Sequence, residues 1–454
     1  MPFELTITEA ADLIRRGELS PVELTSSYLD RIHRLDSRVG AFVELTSEAA
    51  LTQARLAEAE IRSGNYRGPL HGTVFAVKDQ LDAADAPSFM RGSKAGDHAT
   101  DAVVIARLKA AGAIYIGKLV MSGQPGQPQP KNPWSLERVT GGSSSGPAAA
   151  VAARFCTASL GEDSAGSIRN PASLCGLVGV IGTYGRVTRS GLASMGWTID
   201  HCGPLAWTVR DAAHILETIA GHNPQDRATT RAAVPMFTAG LGRDINGLRV
   251  GVPFKAVESP AMDVRPDILA AFTTSLGTLE SQGAEIVEVT VPFLEEATHI
   301  SYVLYIGEYA AEYRDQMEWT STHARDARLI RLALGALTTA SDYLQAQRVR
   351  TRMRRECQKV FGQVDVLVTP TMTATAEKAS STTKPLDLWW TKPGFTPLAN
   401  VLGVPAMTVP CGFDPNGLPI GLQVIGQPFD EATVLSVAYA YEQATPWHIR
   451  RPGI

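Results

Sequence analysis

The stretch GGSSSGPAAAVAARFCTASLGEDSAGSIRNPAS, residues 141–173, constrains the chain more than any other. Two glycine-serine clusters stand close together, and each leads into a segment of small residues. Flexible linkers are rich in glycine and serine, but they do not alternate with alanine-rich apolar sequence, so this stretch belongs inside a fold. Pro147 suits the first turn of a helix entered from the first cluster. The clusters therefore read as two turns held at a fixed separation by a buried helix.

The surrounding pattern mixes helices and strands. Ser20-Pro21-Val22-Glu23 reads as a helix start, with Ser20 as cap, Pro21 in the first turn and Glu23 reaching back to close a capping box. Leu24, Tyr28, Ile32 and Leu35 then share one face. Further helices are expected over 48–63 and 102–111, the latter stopped by Gly112. Short apolar runs at 73–77, 113–117, 248–253, 285–291, 364–369, 406–411 and 421–426 read as strands. The first of these delivers Lys78 and Asp79 at its C-terminal end. Residues 121–134 and 373–393 read as polar connectors. Such a mixture indicates an α/β fold: a single large domain with a central mixed β-sheet covered by helices on both sides.

Length alone would allow two domains in 454 residues, but no repeat or break in composition divides the chain. Hydrophobic residues at 44% supply a sizeable core, and a net charge of -4 leaves no electrostatic footprint for nucleic acid or an anionic membrane. The N-terminus lacks a basic start followed by an apolar run, and nothing reaches transmembrane length. The five cysteines (Cys156, Cys175, Cys202, Cys357 and Cys411) contain no C-x-x-C pair, against a zinc knuckle or a disulfide framework. A cytoplasmic protein with reduced thiols is expected.

Several chemistries compete for the serines. Gly142-Ser143-Ser144-Ser145-Gly146 fits G-x-S-x-G with Ser144 as nucleophile, but that elbow needs a strand directly before it and LERVT is a poor one. Ser381-Thr382-Thr383-Lys384 fits S-x-x-K, yet lies in a polar connector without S-D-N or K-T-G partners. A phosphate loop fails because no G-K-[ST] follows the glycines. A serine nucleophile needs a base and a group to hold charge developing on the substrate oxygen. The small-residue run 161–167 can turn successive N–H groups toward a carbonyl bound near Ser167. The nine histidines stand in no catalytic context, and His201 and His214 read as packing or surface residues. Lys78, at a buried strand end, is the better base if its surroundings keep the amine neutral.

Taken with the segment 161–169, Gly141-Gly142-Ser143-Ser144 resembles the core of the amidase signature family. Gly185-Arg186-Val187-Thr188 and Asp200-His201-Cys202-Gly203-Pro204 match later pieces of that pattern. Val77-Lys78-Asp79 matches an upstream strand, and 400–403, 405–412 and 417–426 match the C-terminal core. The resemblance implies one amidase domain over 1–454, with N-terminal helices (1–65), a signature core (66–225), a peripheral helical region (226–360) and a C-terminal core segment (361–454).

It also implies a Ser–Ser–Lys triad. Ser167 would be the acylating nucleophile, Ser143 a bridging serine after a cis peptide at Gly142, and Lys78 the neutral base. The amides of Ser164, Ala165, Gly166 and Ser167 would be oxyanion donors, with Asp163 and Arg169 bracing the loop. Proton relay to the leaving nitrogen and hydrolysis of the acyl-enzyme would complete the reaction, with no cofactor and no metal.

Four residues depart from the family pattern. Ser145 and Pro147 stand where many relatives have glycine and serine, Glu162 replaces a threonine and Ala165 a glycine. Alanine keeps the N–H but resists positive φ. Met121, Trp389 and Trp390 are candidates to line the pocket. The expected activity is hydrolysis of a small or aryl-containing amide, anilide or carbamate. The expected partner is that small molecule, without nucleic acid or membrane, and a homodimer is compatible. Two other readings stand beside it: the glutamine-hydrolysing subunit of a tRNA-dependent amidotransferase, and an inactive amidase-like binding protein.

Overall fold

A mostly apolar strand needs both faces covered, and the inner strands of this chain are of that kind, with their few acidic and basic residues gathered toward the strand ends. The computed structural model describes residues 1–88, 100–122, 127–316, 327–379 and 393–454. Its strands are β1 (Phe42–Leu45), β2 (Val74–Lys78), β3 (Ile114–Leu119), β4 (Lys131–Asn132), β5 (Ser135–Val139), β6 (Ala158–Asp163) and β7 (Val178–Ile181). They continue as β8 (His201–Ala206), β9 (Arg249–Val252), β10 (Glu285–Glu288), β11 (Val366–Pro370), β12 (Ala406–Phe413) and β13 (Pro419–Gly426).

An 11-stranded sheet runs in the order β1-β3-β2-β6-β8-β7-β12-β13-β11-β9-β10, and β4 and β5 form a separate two-stranded sheet. The sheet is mixed: β3, β2 and β6 are mutually parallel, as are β11, β9 and β10, and antiparallel pairs join these blocks through β8, β7, β12 and β13. Every residue of β2, β6, β7, β8 and β13 is buried. Helices flank the sheet, and the whole is one large α/β domain.

The expected strands and helices form, with ends displaced by a few residues. Four details differ. Ser20 Oγ accepts from the amides of Val22 (3.0 Å) and Glu23 (3.3 Å), but the Glu23 carboxylate does not reach back, so no capping box closes. Residues 135–139 do form a strand. It pairs with Lys131–Asn132 in a separate ribbon, outside the large sheet, so it does not supply the strand–turn–helix geometry of a nucleophile elbow. The segment 226–360, expected to be peripheral and helical, also contributes β9 and β10 to the far edge of the sheet. Gly161, Glu162 and Asp163 are not turn residues; they end β6, because pairing with Gly203, Cys202 and His201 of β8 outweighs the weak strand preference of glycine and acid. Among the described residues no helix is long and apolar enough to cross a membrane.

This topology positions the candidate chemistry. Since β2 and β6 are adjacent and parallel, with Val77 opposite Leu160, their C-terminal ends lie side by side. Lys78 therefore arrives next to Glu162. The helix Ser145–Ala152, buried at every residue, leads from the first serine cluster back beneath the sheet.

Candidate active site

Lys78 is fully buried, and its Nζ has three close neighbours. They are Ser143 Oγ at 2.8 Å, Glu162 Oε2 at 2.8 Å and the Glu162 main-chain oxygen at 3.3 Å. The Gly142–Ser143 peptide is cis. Gly142 has no room for a side chain, since a Cβ there would collide with Ser122 Oγ. Ser122 in turn donates its amide to the Ser143 carbonyl at 3.1 Å.

The two serine clusters are tied together by Ser144, the middle serine of the first. Ser144 donates its amide to the Ser167 carbonyl (3.1 Å) and its hydroxyl to the Glu162 carbonyl (3.0 Å). Ser145 faces away, with Oγ donating to Val120 O at 3.4 Å. Ser143 and Ser167 are half-buried, whereas Ser144, Ser145 and Ser164 are buried. Among the described residues Ser167 Oγ makes no hydrogen bond, so its hydroxyl is open to an incoming group.

Asp163 and Arg169 form the brace expected of them. Arg169 Nη2 lies 3.0 Å from Asp163 Oδ1 and Nε lies 3.1 Å from Oδ2, both side chains being fully buried. Arg169 also donates to Gln423 Oε1 at 2.7 Å, to Asn400 Oδ1 at 2.5 Å and to Thr396 O at 2.9 Å. Burial alone would raise the Asp163 carboxyl. The Arg169 guanidinium, the Ile168 amide and the Asn400 side chain outweigh it and hold the group well below the usual carboxylate range.

The brace alters the list of oxyanion donors. The Gly166 amide already donates to Asp163 Oδ1 at 2.6 Å, so it is turned into the protein. The amides of Ser164, Ala165 and Ser167 have no internal acceptor among the described residues. Ala165 does not adopt positive φ, while Gly166 does, at 120°. The alanine thus stands where the loop tolerates a Cβ, and the residue that needs glycine has kept it.

Two residues now have partners that sequence reasoning did not assign. Glu162 appears in the sequence only as a replacement for threonine, yet it is the buried acid against Lys78. Asp200, noted only as a motif position, accepts from Ser164 Oγ (2.8 Å), Ser194 Oγ (2.9 Å), Met195 N (2.9 Å) and Gly196 N (3.0 Å). An acid at the end of an otherwise apolar strand beside a strand ending in lysine was the available signal.

Met121 is buried in an apolar cluster with Met195, Ile199 and Tyr305. Trp389, Trp390 and the 381–384 S-x-x-K stretch lie outside the described residues. His201 is buried within β8, its Nδ1 2.7 Å from Ile199 O.

Comparison with known proteins agrees with this architecture. The amidase family model matches residues 23–435. A glutamyl-tRNA(Gln) amidotransferase subunit of Chloroflexus aggregans is 40% identical, over 99% of this chain and 98% of the relative. Among solved structures, native peptide amidase from Stenotrophomonas maltophilia superposes with a TM-score of 0.87 at 29% identity, covering 99% of this chain and 98% of that one. The corresponding glutamyl-tRNA(Gln) amidotransferase subunit from Thermotoga maritima gives 0.83 at 30% identity, covering 98% and 96%.

Proposed function

The chain belongs to the amidase family, and from that premise we propose that it cleaves amide C–N bonds through an acyl-enzyme on Ser167. The observation that carries the reading is the 2.8 Å contact between Lys78 Nζ and Ser143 Oγ, beside a nucleophile loop held to the same serine cluster by the Ser144 amide. In the reaction Ser167 Oγ attacks the amide carbonyl, its proton passes to Ser143, and Ser143 passes its own to Lys78. The oxyanion is met by the amides left free on the loop, those of Ser164, Ala165 and Ser167. Lys78 then returns the proton through Ser143 to the leaving nitrogen, and water hydrolyses the ester.

For the substrate, the full-length relatives favour the side-chain amide of glutamine, with the chain acting as the ammonia-producing subunit of a tRNA-dependent amidotransferase. They weigh against the small or aryl amide that the altered loop residues suggested. A stand-alone amidase remains the second reading, favoured by a fold likeness to peptide amidase at least as close as that to the amidotransferase subunit. The five buried free cysteines suit a reducing cytoplasm in either case.

Incubating the purified chain with glutamine, other primary amides, anilides and carbamates, and weighing the products, separates the two readings. Ammonia from glutamine that rises on adding the other subunits of an amidotransferase supports the first. Turnover of another amide by the chain alone supports the second. Failure of a fluorophosphonate to label the native protein at Ser167 would overturn both.

A further inference from the structure

Glu162 occupies an unusual position for an acid. Its side chain is buried, with Oε2 on Lys78 Nζ at 2.8 Å and Oε1 on Ser164 Oγ at 2.5 Å. Ser164 Oγ lies a further 2.8 Å from Asp200 Oδ1. The Ser164 hydroxyl thus stands between two carboxyl groups while owning a single proton. If both acids were ionised, one of these two short oxygen–oxygen contacts would contain no hydrogen. One acid therefore carries a proton.

The donors decide which. Asp200 accepts from the amides of Met195 and Gly196 and from the Ser194 hydroxyl, in addition to Ser164, an arrangement that favours the anion. Among the described residues Glu162 has no backbone donor on either oxygen. The titratable groups facing it are Lys78 from β2, Asp200 from the approach to β8 and the buried Cys202 opposite it on β8, while Asp163 and Arg169 pair on the alternate face of β6. Burial and the nearby Asp200 raise the Glu162 carboxyl above the usual carboxylate range against the pull of Lys78.

We propose that Glu162 rests as a neutral carboxylic acid, donating from Oε1 through Ser164 to the Asp200 anion, and that this arrangement fixes Lys78 as the free amine. The three neighbours of Nζ fit a neutral amine: its two N–H groups donate to Glu162 Oε2 and the Glu162 carbonyl, and its lone pair accepts the Ser143 hydroxyl. Ser143 Oγ is then left to accept from Ser167. When Lys78 takes the relayed proton, the ammonium formed meets the same two oxygens, and Asp200 supplies the counter-charge one hydroxyl further on. Glu162 is a positioning residue that acts through Lys78, so its role in turnover rests on the proposed function above.

A neutron structure of the native protein at neutral pH tests the resting state without any substrate. A deuteron on Glu162 Oε1 and two on Lys78 Nζ are expected; a bare Glu162 carboxylate with three deuterons on Nζ overturns the proposal. The variant Glu162→Gln provides a second test, because its amide reproduces both the donor to Ser164 and the acceptor for Lys78. It should keep kcat/KM within about threefold of the native value. It should also leave the acid limb of the pH profile within about half a unit of its native position, since replacing a neutral acid by an amide changes no charge beside the amine. A limb displaced by more than about one unit toward acid would show that Glu162 is ionised beside an ammonium, and would overturn the proposal. Should no amide be turned over and Ser167 resist labelling, the proposed function fails, while the neutron map still decides the state of Glu162.

Discussion

Glu162 and Asp163 are adjacent acids, both fully buried, and they are held in opposite ways. Asp163 faces a guanidinium that meets both its oxygens, with backbone amides and Asn400 completing its shell. Glu162 faces one amine and one hydroxyl, with a second acid behind the hydroxyl. Burial pushes both carboxyls upward; only on Asp163 is that push overcome. The number and charge of the donors, and not the depth of burial, determine which of two neighbours is an anion. One side of β6 is thereby a fixed clamp and the other a place where a proton can reside.

The contrast can be broken most severely on the proton-handling side. Lys78→Ala should lower kcat/KM by about 10³-fold, the scale of a lost general base, with native-like thermal unfolding as the control. On the clamp side, Arg169→Met leaves Asp163 as an unpaired buried charge and should cost about 3–5 kcal/mol in a urea titration. The same titration of Glu162→Gln should register a change under about 1 kcal/mol, because the amide satisfies the partners of a neutral acid. Equal losses in these two variants would erase the distinction between the neighbours.

A smaller, pH-dependent effect comes from His201, which lies opposite Asp163 on β8. Burial lowers its imidazole from 6.5 to about 4, although the Asp163 charge opposes this. Between those values the unfolded chain binds a proton that the folded chain does not, so this contribution to stability is full above 6.5 and falls away as pH drops toward 4. Unfolding free energies measured across this window should fall less steeply with acid in His201→Gln than in the native protein.

Much of this was legible in the chain itself. Apolar runs such as 73–77 and 421–426 become strands of the sheet, and the first glycine-serine cluster is a turn, as is the second from Ser164 onward. Lys78 and Glu162 meet at the ends of β2 and β6, with Ser143 on the lysine and the Ser167 loop tied to Ser144. Other features depend on contacts between distant segments. Nothing local to Gly161, Glu162 and Asp163 marks them as a strand end, since their pairing partners lie on the distant strand β8. The loss of the Gly166 amide to Asp163 is likewise a matter of tertiary geometry, as is the burial of Met121 in a cluster that extends to Ala346. Glu162 was visible as a departure, but its meaning required knowing that Ser164 also reaches Asp200.

Ser144, the middle of three consecutive serines, carries a further consequence. Its amide grips the carbonyl of Ser167 and its hydroxyl grips that of Glu162, the residue that meets Lys78. One small residue thus rivets the first serine turn to both the end of β6 and the nucleophile loop. Neither glycine-serine turn can swing outward without tearing this joint, so the reacting groups have little freedom to adapt to different guests. Selectivity must then be written in the walls around the block, and a change of substrate can come from replacing those walls while the rivet stays in place.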